Sequence, residues 1–186
     1  RGTHFLVDDA HGAGVLGVNG RGTLEELGLS HKNTIRCLTL SKAFGVYGGA
    51  VLGEKKNIDR IRETSRMVSG NTPLPLPLAA AALKSIQLLK AHPEWRDRLV
   101  IRTRLVKAAL RNAGYPQADT SVPIMAIHPG SPSKTDLLRK RLLRHGIFPS
   151  HIHYAGGPAE GYFRFALSSE HTTEQLRLLL RALRAD

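Results

Sequence analysis

Two short β-prone runs, each ending in polar residues and glycine, constrain this chain more than any other feature. The first covers residues 4–7 and leads into Asp8-Asp9-Ala10-His11-Gly12. The second covers residues 35–40 and leads into Ser41-Lys42-Ala43-Phe44-Gly45. Between them lies a loop and helix-like stretch about as long as one crossover unit, which parallel neighbours require. Read this way, two successive buried strands of one sheet end side by side, and Asp8 and Lys42 face one crevice. Open α/β sheets bind their ligands at that edge.

The rest of the chain extends this pattern. Residues 48–53 read as a third strand, whose glycines point to close backbone approach. A helix is expected over 58–67. Pro73, Pro75 and Pro77 then lead into an Ala/Leu-rich helix over 78–91, since proline is tolerated at a first turn. His92-Pro93 ends it, and a long helix over 94–112 stops at Gly114. The pattern then changes. A strand over 122–127 is followed by a helix over 133–145, with Ser133 as candidate N-cap and Gly146 closing it. Residues 147–149 open an extended stretch, 162–167 alternate as a strand, and 172–183 form an amphipathic helix capped by Thr172 or Thr173. The predicted fold class is α/β: residues 1–92 end a large, mostly parallel sheet domain, and 93–186 form a smaller α+β domain. The chain lacks an initiator Met and runs straight into a strand, so it is expected to begin inside a domain.

Composition narrows the function classes. No run of eighteen apolar residues is present, so no membrane helix is expected. Cys37 is the only cysteine, which excludes an internal disulfide, fits a cytoplasmic setting, and suggests a small core residue. The net charge of +12 invites a nucleic-acid reading. Only 5% of residues are aromatic, however, and no stacking platform appears. The basic residues sit on helical faces, among them Arg96, Arg98, Arg102, Arg104 and Lys107, and later Arg139, Lys140, Arg141 and Arg144. A solvated basic surface, attraction of an anionic substrate, or incidental nucleic-acid binding all fit.

The two strand ends carry the chemistry. A carboxylate at a strand end needs a partner, because an unpaired buried charge is costly. A protonated pyridine nitrogen is one partner for Asp8, and His11 can reach the same ligand. A turn capped by these polar side chains is the simpler alternative. Lys42 follows two hydroxyls, Thr39 and Ser41, which can donate to phosphate. A lysine that forms a Schiff base needs a fixed, partly desolvated position beside such groups. A solvated surface lysine remains open as the alternative. His151 and His153 alternate on a strand-like run, but no carboxylate or cysteine joins them at ligand spacing, so no metal site is expected.

Together these stretches resemble a family. Residues 7–22 (VDDAHGAGVLGVNGRG), 39–49 (TLSKAFGVYGG), 69–73 (SGNTP) and 163–172 (FRFALSSEHT) look like the C-terminal half of a fold-type-I pyridoxal-phosphate (PLP) enzyme. The group is the α-oxoamine synthases, which includes 8-amino-7-oxononanoate synthase, 2-amino-3-ketobutyrate CoA ligase, 5-aminolevulinate synthase and serine palmitoyltransferase. The resemblance implies that Asp8 pairs with the pyridine N–H and His11 bonds the phenolic oxygen. It implies that Thr39 binds the phosphate, that Lys42 forms the Schiff base and shuttles the proton, and that Thr72 reaches the phosphate of a neighbouring subunit. Arg164 would hold the substrate carboxylate through a bidentate pair. The implied reaction is a Claisen-type condensation of an amino acid with an acyl-CoA in a cytoplasmic homodimer. A related aminotransferase or lyase, or an inactive remnant, are the alternatives. In that family the ring-stacking aromatic and a glycine-rich phosphate turn lie in the N-terminal half, outside these residues. The 150–161 stretch also departs from the family's Pro-rich pocket lining.

Overall fold

The computed structural model describes residues 3–183, which divide into two compact units with the boundary between Glu94 and Trp95. The first unit is built on three strands, β1 (Phe5–Asp8), β2 (Thr34–Thr39) and β3 (Gly49–Leu52), in the order β1-β2-β3. β1 and β2 are parallel, with Asp8 opposite Cys37. β2 and β3 are antiparallel, with Thr39 opposite Gly49. These three strands therefore form a mixed sheet rather than the mostly parallel one expected. The connection over 40–48 is shorter than the dozen or so residues a parallel crossover needs, so the chain can only turn back on itself.

Three helices complete this unit: α1 (Thr23–Glu26), α2 (Lys55–Thr64) and α3 (Leu76–Ala91). α2 lies three residues earlier than the periodicity predicts, because Ser65 leaves the helix with extended backbone at φ −79° and ψ 118°. α3 follows Pro75 and carries Pro77 in its first turn, where no amide donor is required. Apolar burial in this unit is thin: Ala13, Leu16, Leu24, Leu40 and Ala82 are its buried apolar residues among those described. β1 was expected to be buried, yet Phe5 is 60% and Leu6 74% exposed. The cause is positional, since β1 is an edge strand with a single neighbour. Cys37, expected in the core, is only half-buried.

The second unit is better filled. Its elements are α4 (Glu94–Asn112), β4 (Ile124–Ile127), α5 (Pro132–Arg144), β5 (Ser150–Ile152), β6 (Tyr162–Ala166) and α6 (Thr173–Leu183). The sheet runs β4-β6-β5 and is antiparallel throughout. Val106 and Leu110 from α4, Met125 and Ile127 from β4, Leu142 from α5 and Phe163 from β6 are essentially without solvent contact and form one cluster with α6. β5 begins at Ser150, after the expected 147–149, because Pro149 has no amide proton for a ladder. The α5 cap is Ser131 rather than Ser133: its hydroxyl accepts from the Lys134 amide at 3.3 Å. Thr172 caps α6 through a reciprocal pair, accepting from the Gln175 amide at 3.2 Å while its own amide donates to Gln175 Oε1 at 2.8 Å.

Lys107 corrects the reading of α4 as a uniformly solvated basic face. It is 3% exposed, and its Nζ donates to the Thr120 carbonyl at 2.8 Å and the Thr120 hydroxyl at 2.9 Å. Burial, followed by the positive charge of Arg111, lowers its pKa. Among the described residues, no helix is long and apolar enough to cross a membrane.

Candidate active site

Because β1 and β2 are parallel and in register, their C-terminal ends lie side by side: Asp8 closes β1, and the loops that follow the two strands carry His11 and Lys42 at the same end of the first sheet. Asp8 is exposed, and its Oδ1 accepts from the Ala10 amide at 3.0 Å. His11 is exposed on the next turn, closed by the Gly12 and Ala13 amides, which donate to the Asp9 carbonyl at 3.1 and 3.0 Å. These bonds match the turn-capping geometry that the bare sequence left open, and they leave both side chains facing outward.

Lys42 sits on a turn closed by the Gly45 amide, which donates to the Lys42 carbonyl at 3.0 Å. The loop is stapled on both sides. The Leu40 amide donates to the Gly48 carbonyl at 2.9 Å, and the Val46 amide to the Leu40 carbonyl at 2.8 Å. Ser85 on α3 donates its hydroxyl to the Phe44 carbonyl at 2.7 Å. Thr39 Oγ1 and Ser41 Oγ stand 2.7 Å apart, and the Ser41 amide donates to Thr39 Oγ1 at 3.2 Å. The lysine backbone is thus fixed, but its side chain is exposed. The partial desolvation expected of it is not supplied by the described residues of this chain.

The two loops touch. A Cβ built on Gly14, which has φ +81°, would lie 2.8 Å from Ala43 Cβ and 3.5 Å from the Phe44 ring. Only a glycine lets the backbone after β1 approach the lysine turn this closely. Thr72 lies on an exposed connection before α3. Two residues on, Leu74 packs against Gly48, where an added Cβ would meet Leu74 Cδ1 at 3.1 Å. So Asp8, His11, Thr39, Ser41 and Lys42 share one sheet edge, and the Thr72 segment runs past the base of the lysine loop. Arg164 belongs to the second unit: it is half-buried on β6, opposite Ala126 and Ser150.

One feature of this region is absent from the sequence-based expectation. Asp9, not Asp8, is the buried carboxylate, at 1% exposure. It forms an ion pair with Arg36 of β2 and accepts from the Thr23 hydroxyl at 2.6 Å and the Thr23 amide at 3.1 Å. Arg36 also donates to the Arg21 carbonyl at 2.6 Å. The available signal was a lone arginine on the face that β2 shares between Thr34 and Leu38.

In the second unit, His151 and His153 form an edge-to-face pair with ring centres 5.1 Å apart. Burial, then the charges of Arg139 and His153, lower the pKa of His151. Among the described residues, no group of three or more His, Cys, Asp or Glu is placed to hold a metal ion.

The donor set at the β1–β2 edge suits an anionic aromatic aldehyde. An exposed carboxylate, an imidazole, paired hydroxyls and a primary amine stand on backbone held by hydrogen bonds, beside a glycine contact with no room for a Cβ. This is a ligand site of the strand-end class of α/β proteins. The Aminotransferase class I and II family model matches residues 1–183, and the chain belongs to that family. It is 37% identical over 182 residues to the 8-amino-7-oxononanoate synthase of Symbiobacterium thermophilum, covering 97% of this chain and 46% of that protein. It is 36% identical over 183 residues to the 8-amino-7-oxononanoate synthase of Methylococcus capsulatus, covering 96% and 47%. Among solved structures, the Sphingomonas wittichii serine palmitoyltransferase superposes with a TM-score of 0.83 at 28% identity, over 98% of this chain and 46% of that one. The Francisella tularensis 8-amino-7-oxononanoate synthase gives 0.84 at 28%, over 96% and 53%. A lysine-to-alanine variant of the serine palmitoyltransferase of S. paucimobilis, solved with bound PLP-myriocin aldimine, gives 0.86 at 28%, over 98% and 46%. The chain spans about half the length of the relatives it matches.

Proposed function

We propose that these residues form the lysine-bearing part of a PLP-dependent transferase that condenses an amino acid with an acyl-CoA. The observation that carries the reading is the Gly14–Ala43 contact, which locks the Asp8–His11 loop against the Lys42 turn at one strand edge. Family membership and the named relatives support it.

When bound, PLP supplies an electron sink for the carbanion at the substrate α-carbon. The protein's part is binding and proton control. Asp8 would accept from the ring N–H and keep that proton in place, since a carboxylate favours the charged form of a nearby base. His11 would bond the phenolic oxygen, and the Thr39 and Ser41 hydroxyls would donate to the phosphate. Lys42 Nζ would hold the aldehyde carbon, with loss of water, until the substrate amine displaces it; the amine so freed would take the proton from the substrate α-carbon and return it. Thr72 would serve the phosphate of a second subunit in a homodimer. Arg164 offers the planar fork that a substrate carboxylate takes bidentately.

The test uses the full-length natural protein. Borohydride reduction with PLP should leave a pyridoxyl group on the peptide containing Lys42, found by mass spectrometry, and Lys42→Ala should lose it. Amino acid plus acyl-CoA should release free CoA. Absence of the adduct in the natural protein refutes the reading. Keto-acid formation without CoA release would instead make the protein an aminotransferase.

A further inference from the structure

We infer that Asp9 and Arg36 are positioning residues, which hold the His11 loop against the Lys42 turn. The inference rests on the proposed cofactor site. The loop leaves β1 at Asp9 and enters α1 at Thr23, and both of its ends converge on one residue, Asp9, through its backbone at the start and its carboxylate at the end. At the start, the Asp9 amide donates to the Cys37 carbonyl of β2 at 2.8 Å, and the Asp9 carbonyl receives the Gly12 and Ala13 amides. At the end, the Asp9 carboxylate receives the Thr23 hydroxyl and amide, while Arg36 reaches the Arg21 carbonyl. Between them, the Gly14 amide donates to the Gly20 carbonyl at 2.9 Å, and the Gly22 amide to the Leu16 carbonyl at 2.9 Å.

The fit is tight. A Cβ on Gly12 or on Gly22 would overlap the Asp9 carboxylate, and one on Gly22 would also lie 2.6 Å from Arg36 Nη2. The Asp9 side chain is fully buried and that of Arg36 is 9% exposed. A buried ion pair of this kind is poor evidence for stability, because desolvation offsets much of the attraction. What it supplies is register. Arg36 belongs to β2, the strand whose end leads to Lys42, and Asp9 belongs to the loop that carries His11 and Gly14. The pair ties the two catalytic loops at their roots, some residues away from the atoms that would react, so neither side chain needs to touch cofactor or substrate.

The full-length protein is compared with Asp9→Asn and with Asp9→Asn combined with Arg36→Met. Asp9→Asn keeps the shape but strands the guanidinium. The double variant removes that buried charge, so stability should return, while the Arg21 carbonyl stays without its donor. Positioning predicts faster hydrogen exchange at amides 10–22 in both variants, with α5 and β6 unchanged. It also predicts a kcat lower by about 10²-fold, as misplacement on the order of 1 Å can cause, with the KM for the amino acid little altered. Recovery of kcat and of exchange protection together with stability in the double variant would reduce the pair to a structural role and overturn the inference. Natural protein that forms no Lys42 adduct refutes the proposed function separately, and the clamp is then decided by the exchange rates alone.

Discussion

Gly14→Ala tests the closeness of the loops that follow β1 and β2 directly. Gly14 has φ +81°, and its missing Cβ faces Ala43 Cβ at 2.8 Å. An L-residue in the left-handed region costs roughly 1–2 kcal/mol, and the stiffer unfolded chain offsets roughly 0.4–1 kcal/mol of that. Gly28 provides the control: its φ is +63° and a Cβ there would meet nothing within 4 Å. Gly28→Ala should therefore show the backbone effect alone, a net destabilisation between zero and about 1.6 kcal/mol. Gly14→Ala carries the same effect plus overpacking against Ala43 Cβ, a further ~1–3 kcal/mol. Equilibrium urea denaturation of the full-length protein measures both. Adding Ala43→Gly removes the opposing atom, so a double-mutant cycle should return part of the loss as coupling. PLP trapped on Lys42 by borohydride should fall in Gly14→Ala and stay unchanged in Gly28→Ala. Equal destabilisation in the two single variants, with no coupling to Ala43, would refute the packing argument.

The second unit allows two more predictions. Phe163 is fully buried on the central strand, with the His151 ring centre 4.9 Å away. Phe163→Ala should cost about 3–5 kcal/mol, read as a lower urea midpoint. His151 has a lowered pKa, so in acid the unfolded chain binds its proton before the folded one does. Below the ordinary histidine value of ~6.5, stability should fall with pH until the lowered folded value is passed. Above the ordinary value of ~6.5, and again below the lowered folded value, His151 contributes nothing to the slope. His151→Gln should flatten the acid limb of a stability–pH profile, and an unchanged limb would show that other groups govern it.

Much of the fold was legible because periodicity and punctuation agree. α3 and α4 are marked by prolines at their starts and by Ala/Leu or Arg/Leu runs, and both fall within two residues of expectation. The strand ends bearing Asp8 and Lys42 were legible for the same reason: an apolar run stops at polar residues and glycine. The finer assignments depended on tertiary contacts. Ser131 and Ser133 are equivalent as letters, and only the backbone at Ser131, φ −158° and ψ 156°, makes it the cap. Lys107 reads as one more solvated base until Thr120 is seen folding over it. The burial of Asp9 in place of Asp8 follows from strand alternation, which turns neighbouring side chains to opposite faces. Choosing between the two acids required knowing which face Arg36 occupies.

The exposed first strand bears on how these residues can be handled. β1 offers an unpaired backbone edge that includes Phe5 and Leu6, and none of its residues before Asp8 carries a charge to deter a second strand. Such an edge is a template for intermolecular pairing. A polypeptide limited to these residues should therefore self-associate as its concentration rises. Solubility during purification would then report whether a further strand has been provided to cover that edge.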